Sequence, residues 1–398
     1  MFEIRPILSA LARHKSSTLL IVLQIAITFA VVINSFSIIQ QRISVMNRDS
    51  GLKEEQLFSL NVTAFGKSYD SEYNMQADLE LLRNTPGVID ATSLNHIPMS
   101  GSGSASGVAN SRENYDNRVR ISTGVIRGGT HALNTLGVKL IAGRNFRESE
   151  VTFDHYQNSP TVTIITKSLA DKLYPDGSAL GKKLVGSSYE VTIIGIIEHM
   201  SGFWVSWSGF DNNLISPEFE TQNILIRAEK NAIPELLGSV ENLLFDRNQD
   251  RVISEIHTLF EYREKSYSDD RAMSIILWIV ISLLVIVTSL GIVGIVSFNI
   301  NQRIKQIGTR RALGARKIDI GRYFVTENLI ITSLGLTLGF VFAIGFNIYL
   351  VGTFEISPIN WYYLPFGMLF MLVIGILSVW IPAQKASNVS PAVATQSI

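Results

Sequence analysis

Three stretches carry residues whose types and spacing invite a chemical reading. "GSALGKK", residues 177–183, approaches the loop G-x-x-x-x-G-K-[ST], in which backbone amides cradle phosphate and a hydroxyl holds magnesium. It is one residue short between its glycines and ends in Lys183 instead of a hydroxyl. "GSASG", residues 103–107, has Ala105 where a nucleophile elbow needs serine. The six histidines, His14, His96, His131, His155, His199 and His257, fall at no metal-ligand spacing and read as ordinary surface or core residues. Cysteine is absent, which excludes thiol chemistry, disulfides and thiolate metal sites. Acidic residues are scattered, with no pair placed to act as acid and base. The expectation is a chain that is not itself an enzyme and holds no metal or cofactor of its own.

The third stretch is different. "RIKQIGTRRALGARKIDIGRYF", residues 303–324, sets seven Lys/Arg side chains against one acid, Asp319, in a chain of 398 residues whose formal net charge is zero. Thr309 is expected to cap a short helix through Ala312, with Gly314 as its C-terminal stop. Such a segment can rest on anionic lipid headgroups, at about 1 kcal/mol per basic residue near the surface. It can also dock on a cytoplasmic protein and pass motion to its neighbours. No nucleic-acid partner is expected.

The elements that position this stretch follow from runs without Asp, Glu, Lys or Arg. Four stand out: 16–41, 272–302, 328–354 and 356–384. Each is long enough to cross a hydrocarbon core of roughly 30 Å at about 1.5 Å per residue. The first run exceeds the roughly 7–15 residues of a signal-peptide core, so an uncleaved anchor is expected. Basic residues in the short flanks and loops place both termini and the 303–324 loop in the cytoplasm. The expected order is a cytoplasmic segment (1–15), a first span (16–41), an extracytoplasmic domain (42–271) and a second span (272–302). A cytoplasmic coupling segment (303–327), a third span (328–354), an outer loop with the fourth span (355–382) and a cytoplasmic tail (383–398) complete it. Trp361, Tyr362 and Tyr363 would mark the outer end of the last span and Trp380 its inner end, as interfacial anchors or as packing residues. No carboxylate lies inside a span; Glu327 and Glu355 border the third, which argues against ion-driven transport. Gly335, Gly339 and Ala343 recur every four residues, the small-xxx-small spacing that lets helix backbones approach, either within one chain or between two copies. Gly291 and Gly294 are candidates for the same role.

The outer segment reads as mixed α/β. Strand, helix and strand are predicted at 57–62, 71–84 and 88–94, with a turn at Pro86-Gly87. The order recurs at 222–228, about 232–245 and 251–259. Two β-α-β units so far apart suggest a ferredoxin-like lobe with a second lobe inserted. The insert opens on "SGSGSASG" (100–107), expected to be a flexible stretch. It continues as strand and helix at 161–174 and a strand at 189–198. "SGFWVSWSGF" (201–210) puts Phe203, Trp204, Trp207 and Phe210 on a hairpin or loop, exposed for a substrate or partner or folded onto its own lobe.

Order within the basic stretch adds a resemblance. "IGTRRALGARKIDI" (307–320) resembles the coupling segment of MacB/FtsX-like ABC transporter permeases. "TLGVKLIAGRNF" (135–146) is similar to the L-x-x-GR-x-F element of their outer domain. "TVTIITKSLADKLYPDGSALGKKL" with the following "VTIIGIIE" resembles that domain's next element, and "IPAQKASNVSPAVA" (381–394) the family's tail. Gln306 and Thr309 depart from the glutamate and isoleucine common there. The resemblance implies four transmembrane helices plus a two-lobed outer domain, with the ferredoxin-like lobe as porter lobe. It implies a type VII permease subunit working by mechanotransmission. Ile307, Gly308, Thr309, Arg310, Arg311, Ala312, Leu313, Gly314 and Ala315 would couple to a separate ATPase subunit, which binds ATP and magnesium. It further implies a second permease as homo- or heterodimer partner, the inner membrane as location, and a periplasmic adaptor with an outer-membrane channel. Export of an antibiotic or peptide is the expected function. Lipoprotein extraction, or a scaffold regulating a cell-wall hydrolase, is the alternative.

Overall fold

The computed structural model describes residues 15–65, 69–153, 159–354 and 357–390. Arg5, Arg13, His14, His155, Glu355 and residues 391–394 of the tail element lie outside the described residues. The chain divides into two compact units, Met1–Asn47 with Asp270–Ile398, and Arg48–Asp269. Helix α1 (Lys15–Met46) belongs to the first.

The second unit holds two sheets. Its first lobe is built from β1 (Leu57–Ala64), α2 (Ser71–Arg83) and β2 (Val88–Leu94) before the insertion. The insertion runs through β3 (Ala105–Val108), α3 (Arg112–Asp116), β4 (Ile121–Arg127), α4 (Ala132–Leu136) and β5 (Leu140–Gly143). It continues with β6 (Val162–Thr166), α5 (Lys167–Leu173), β7 (Lys183–Val185), β8 (Glu190–Ile197) and β9 (Asn213–Ser216). The first lobe then resumes with β10 (Asn223–Ala228), α6 (Ile233–Arg247) and β11 (Arg251–Thr258), followed by α7 (Leu259–Ser266). Its strands lie in the order β11-β1-β10-β2, each antiparallel to its neighbour. Two β-α-β units interleaved in this way make the ferredoxin-like arrangement.

Local chemistry explains these elements. Asp70 accepts from the Tyr73 amide and caps α2, and Gly87 turns the chain at φ +86°. Alternate residues of β1, Phe58, Leu60 and Val62, meet Met75, Leu79 and Leu82 of α2 and Leu236, Val240 and Leu244 of α6 in one apolar core. Inside it lies a charge cluster that periodicity does not reveal. Asp78 is buried and accepts from Arg251, whose side chain is fully buried, and from Arg247 at 2.6 Å. These bonds fasten α2 to β11 and α6.

The inserted lobe is a mixed sheet in the order β3-β4-β9-β6-β8-β5, with β7 paired to β8. "SGSGSASG" is flexible in expectation only: its second half is β3, paired with β4. Gly103 lies tight against Phe203, where a Cβ would fall 2.2 Å from the ring. The GR-x-F element holds a strand end. Gly143 has φ +80°, and a Cβ there would lie 2.1 Å from the Ile194 carbonyl. Arg144 then donates to both oxygens of Glu150 at 2.6 and 2.7 Å, and Phe146 is buried. The Arg144 hydrogen bond pulls the Glu150 carboxyl down to about 2. In the GK element, Gly181 has φ +78° and Lys182 stacks its ammonium 4.4 Å above the Tyr174 ring.

In the first unit α1 is followed by α8 (Ser268–Gln302), α9 (Ile304–Ala312), α10 (Lys317–Phe354) and α11 (Tyr363–Ser387). Four of these, all but α9, are long and apolar enough to cross a membrane. The helices outrun the charge-free runs: α10 starts at Lys317 within the basic stretch, and α1 continues past Gln41. Ile21, Ile25, Phe29 and Ile33, spaced four apart on α1, are buried in the core of the bundle. Gly335 and Gly339 face α1. A Cβ on Gly339 would lie 3.0 Å from the Ala26 Cα, and one on Gly335 2.8 Å from the Ile25 Cβ. Ala343 is fully buried, and its carbonyl accepts from Asn34 at 3.1 Å. This stripe therefore packs within the chain. Gly291 faces Gln24 of α1, whereas Gly294 has open space around it.

Several polar side chains inside the bundle pair with one another or with backbone, which a water-free surrounding favours. Thr28 and Thr288 hydroxyls are 2.7 Å apart. Asn347 donates to Asn34 at 3.2 Å, and Asn328 of α10 donates to the Gly375 carbonyl of α11 at 3.0 Å. Arg42 of α1 pairs with the buried Asp270 at the start of α8. Trp361 and Trp380 are largely exposed and free to meet lipid headgroups, while Tyr363 packs edge-on against Phe36.

Two outcomes follow. Gly339→Ile forces a branched side chain into the α1 contact and lowers stability by about 1–3 kcal/mol, whereas Gly294→Ile is tolerated; thermal unfolding in detergent compares them. Glu150 has a depressed folded-state pKa, so its contribution is complete above the unfolded carboxylate value and is lost as pH falls through about 2. The stability difference between the natural chain and Glu150→Gln is accordingly full at pH 6 and shrinks steadily below pH 4.5; a difference that stays constant with pH removes this role.

Candidate functional site

The basic stretch folds into α9, the loop after it and the first turns of α10. Arg303 is the residue between α8 and α9 and stands at the N-terminal cap of α9. Its guanidinium donates to both Glu327 oxygens at 3.2 Å, with both side chains largely buried. One turn on, Ile307 enters the bundle core together with Ile300, Ile320 and Phe324, and Gly308 beside it is buried. A short helix of this length is marginal by itself. The ion pair and the Ile307 plug hold it against α8 and α10.

The helix begins earlier than Thr309. Thr309 lies inside α9 and its hydroxyl donates to the Lys305 carbonyl at 3.0 Å, so it is not the cap. Backbone pairing with the preceding turn absorbs the hydroxyl that would otherwise cap. Gly314 does end the helix. It has φ +97°, its amide bonds the Arg311 carbonyl, and the Ala315 amide bonds the Arg310 carbonyl, the paired closure of a Schellman motif. The following turn is closed by Asp319, which accepts from the Arg316 amide at 3.1 Å.

The cations of α9 are not equivalent. Arg310 lies 5.3 Å over the Tyr323 ring, and Arg311 donates to the Ala315 carbonyl at 3.1 Å. Arg310 thereby reaches α10, and Arg311 closes the loop after α9. Lys305, Gln306, Thr309, Ala312 and Gly314 are exposed. Leu313 stands furthest out, with 84% of its surface exposed at the tip of the turn. The exposed leucine thus follows directly on a helix held against two long helices.

The other sequence candidates lie elsewhere. Gly335, Gly339 and Ala343 are buried in the contact with α1. Phe203 and Phe210 belong to the other unit and are buried, Phe203 fully, so of the two readings of 201–210 the exposed cluster is corrected and the one folded onto its own lobe is observed. The segment is a loop folded onto its own lobe; Trp204 and Trp207 are half-buried and pack edge to face at 5.5 Å. Among the described residues no group of three or more His, Asp or Glu is placed to hold a metal ion. Sequence reasoning missed the partnership of Arg303 with Glu327. A lone carboxylate bordering an apolar run was its one available signal.

Comparison with known proteins fits this architecture. Residues 18–241 match the MacB-like periplasmic core domain, and residues 278–391 match the FtsX-like permease C-terminal region. The chain belongs to this family of MacB/FtsX-like ABC transporter permeases, and it is a membrane protein. It is 23% identical to the uncharacterized ABC transporter permease YknZ of Bacillus subtilis over 98% of this chain and 97% of that one. It is also 23% identical to the macrolide export ATP-binding/permease protein MacB of Chromobacterium violaceum, over 69% of this chain and 43% of that protein. The chain thus spans less than half the length of the MacB relatives it matches. The extracellular domain of YknZ aligns over 50% of this chain and 100% of its own, at 14% identity and a TM-score of 0.32. The fold assignment rests on the strand order above.

Replacing one member of the buried pair leaves the other charge without a partner. Glu327→Leu lowers stability by about 3–5 kcal/mol, and the double change Arg303→Met with Glu327→Leu restores most of it. Unfolding midpoints of the three chains in detergent give the answer; equal losses in single and double variants remove the pair from this role.

Proposed function

We propose that this chain is the permease subunit of an ATP-driven transporter that works by mechanotransmission and is not itself catalytic. A separate ATPase subunit, holding ATP and magnesium, docks on α9 from the cytoplasm. Both termini lie on that side of the inner membrane and the α/β unit lies outside. Two permeases, identical or different, share two ATPases. Closure of the ATPases moves α9, and α8 and α10 carry the motion outward to a substrate handled outside the membrane. The exported class is an antibiotic or peptide taken from the periplasm, with an adaptor and an outer-membrane channel completing the path.

The observation that carries this reading is the anchored α9 with Leu313 exposed at its tip. The names of the relatives, a macrolide exporter and an ABC transporter permease, support the substrate class and the ATPase partnership. A second reading has its own observation: α8 presents an exposed apolar face of Trp278, Ile279, Leu283 and Ile286, suited to an acyl chain. That favours a lipoprotein-extracting permease.

Purification from the native membrane in mild detergent, followed by mass spectrometry, is the test. An ATPase with an adaptor supports export; an acylated protein on the permease supports extraction; a cell-wall hydrolase replaces both with a regulatory scaffold. Within the complex, Leu313→Asp weakens ATPase docking by about tenfold or more, as loss of a central interface anchor does. Charge reversal at both Arg310 and Arg311 abolishes substrate-linked stimulation of ATP turnover while the chain still inserts. Unchanged stimulation in both variants overturns the coupling role of α9.

A further inference from the structure

Where α10 begins and α11 ends, the two helices part and leave a groove of about 500 Å³. On the α10 side Lys317 and Arg322 stand at its rim, both exposed, and on the α11 side Gln384 and Ser387 face them. Deeper in, Val325, Ala383 and Trp380 line it. Gly321 forms part of the floor, and a Cβ placed there would meet nothing within 4 Å. The groove therefore runs from a basic, hydrogen-bonding rim to an apolar end over about 12 Å of helix axis.

Two cations share this rim, and among the described residues no acid pairs with either. Asp319, the nearest carboxylate in sequence, is engaged with the Arg316 amide, and Lys317 donates only to the neutral Asn388, at 2.8 Å. Trp380 is 56% exposed on the same groove, the level at which indole rings meet lipid headgroups. From this we infer that the groove is a binding site for one anionic phospholipid, its phosphate on Lys317 and Arg322 and the upper part of an acyl chain along Val325 and Trp380. A zwitterionic lipid satisfies the apolar end but adds no net charge to the rim. Residues 391–398 carry no acidic side chain to match the two cations. The site lies beside α9, so an occupied groove would brace the end of α10 that α9 must move. The inference rests on α10 and α11 spanning a bilayer and not on the ATPase partnership, so loss of that partnership leaves it standing.

The experiment uses the full chain in phosphatidylcholine vesicles doped with brominated lipid. The Trp380 signal is isolated by subtraction of Trp380→Phe. Brominated phosphatidylglycerol quenches Trp380 more strongly than brominated phosphatidylcholine at equal mole fraction. The preference falls by roughly tenfold to thirtyfold in Lys317→Gln with Arg322→Gln, the loss of two basic contacts to a headgroup. Gly321→Leu, which fills the floor from a position with open space, abolishes it without touching a charge, while Gly294→Leu retains it. Equal quenching by both lipids, or a preference that survives both variants, overturns the site. So does a rise in quenching by both lipids when residues 391–398 are removed, because the chain's own tail would then be the occupant.

Discussion

The close approach of α1 to α10 is the constraint around which the helical unit is arranged. Two glycines and an alanine at four-residue spacing remove the side chains that would hold the backbones apart, and Ile25, Ala26 and Phe29 fill the space. Dispersion at that distance replaces the hydrophobic drive that lipid surroundings do not provide. Once the backbones are this near, Asn34 reaches the Ala343 carbonyl and meets Asn347, so these two amides find partners inside the bundle. The glycines thereby set the register in which α8 and α11 join.

That register also decides what the basic stretch can be. Glu327 lies one face away from the glycine stripe on α10, turned to where α8 ends, and Arg303 is the residue that meets it. A charge pair buried this deeply adds little net stability, because desolvation offsets most of the attraction. Its value is geometric: it gives α9 one starting point, and Ile307 gives it one orientation. Gly314 then returns the chain at once into α10. The outer face of α9, with Leu313 just beyond its end, is left exposed.

In the outer unit the family elements are devices of strand and turn geometry. Gly143 and Gly181 take backbone conformations that side chains resist, Arg144 locks the turn after β5 onto Glu150, and Lys182 covers Tyr174. Their recurrence as a pattern reflects how the inserted lobe closes on itself and gives no support to a catalytic role. The buried Asp78 with Arg247 and Arg251 is the equivalent fastening of the first lobe.

The long charge-free runs, the β-α-β order repeated across an insertion and the basic stretch between two spans were all legible from one-dimensional patterns. Hydrocarbon excludes charge over a known thickness, strands and helices impose periods of two and 3.6, and these marks survive in the order of residues. What the sequence by itself determined was therefore the long helices, the strand-helix-strand order of the first lobe and the place of the basic segment along the chain. Only the tertiary structure decided that Phe203 and Phe210 are core, that Thr309 lies within a helix begun at Ile304, that the Gly335–Gly339–Ala343 stripe faces α1, and that Arg303 belongs to Glu327. Each of these depends on which surfaces meet across long sequence separations, and no local period records that.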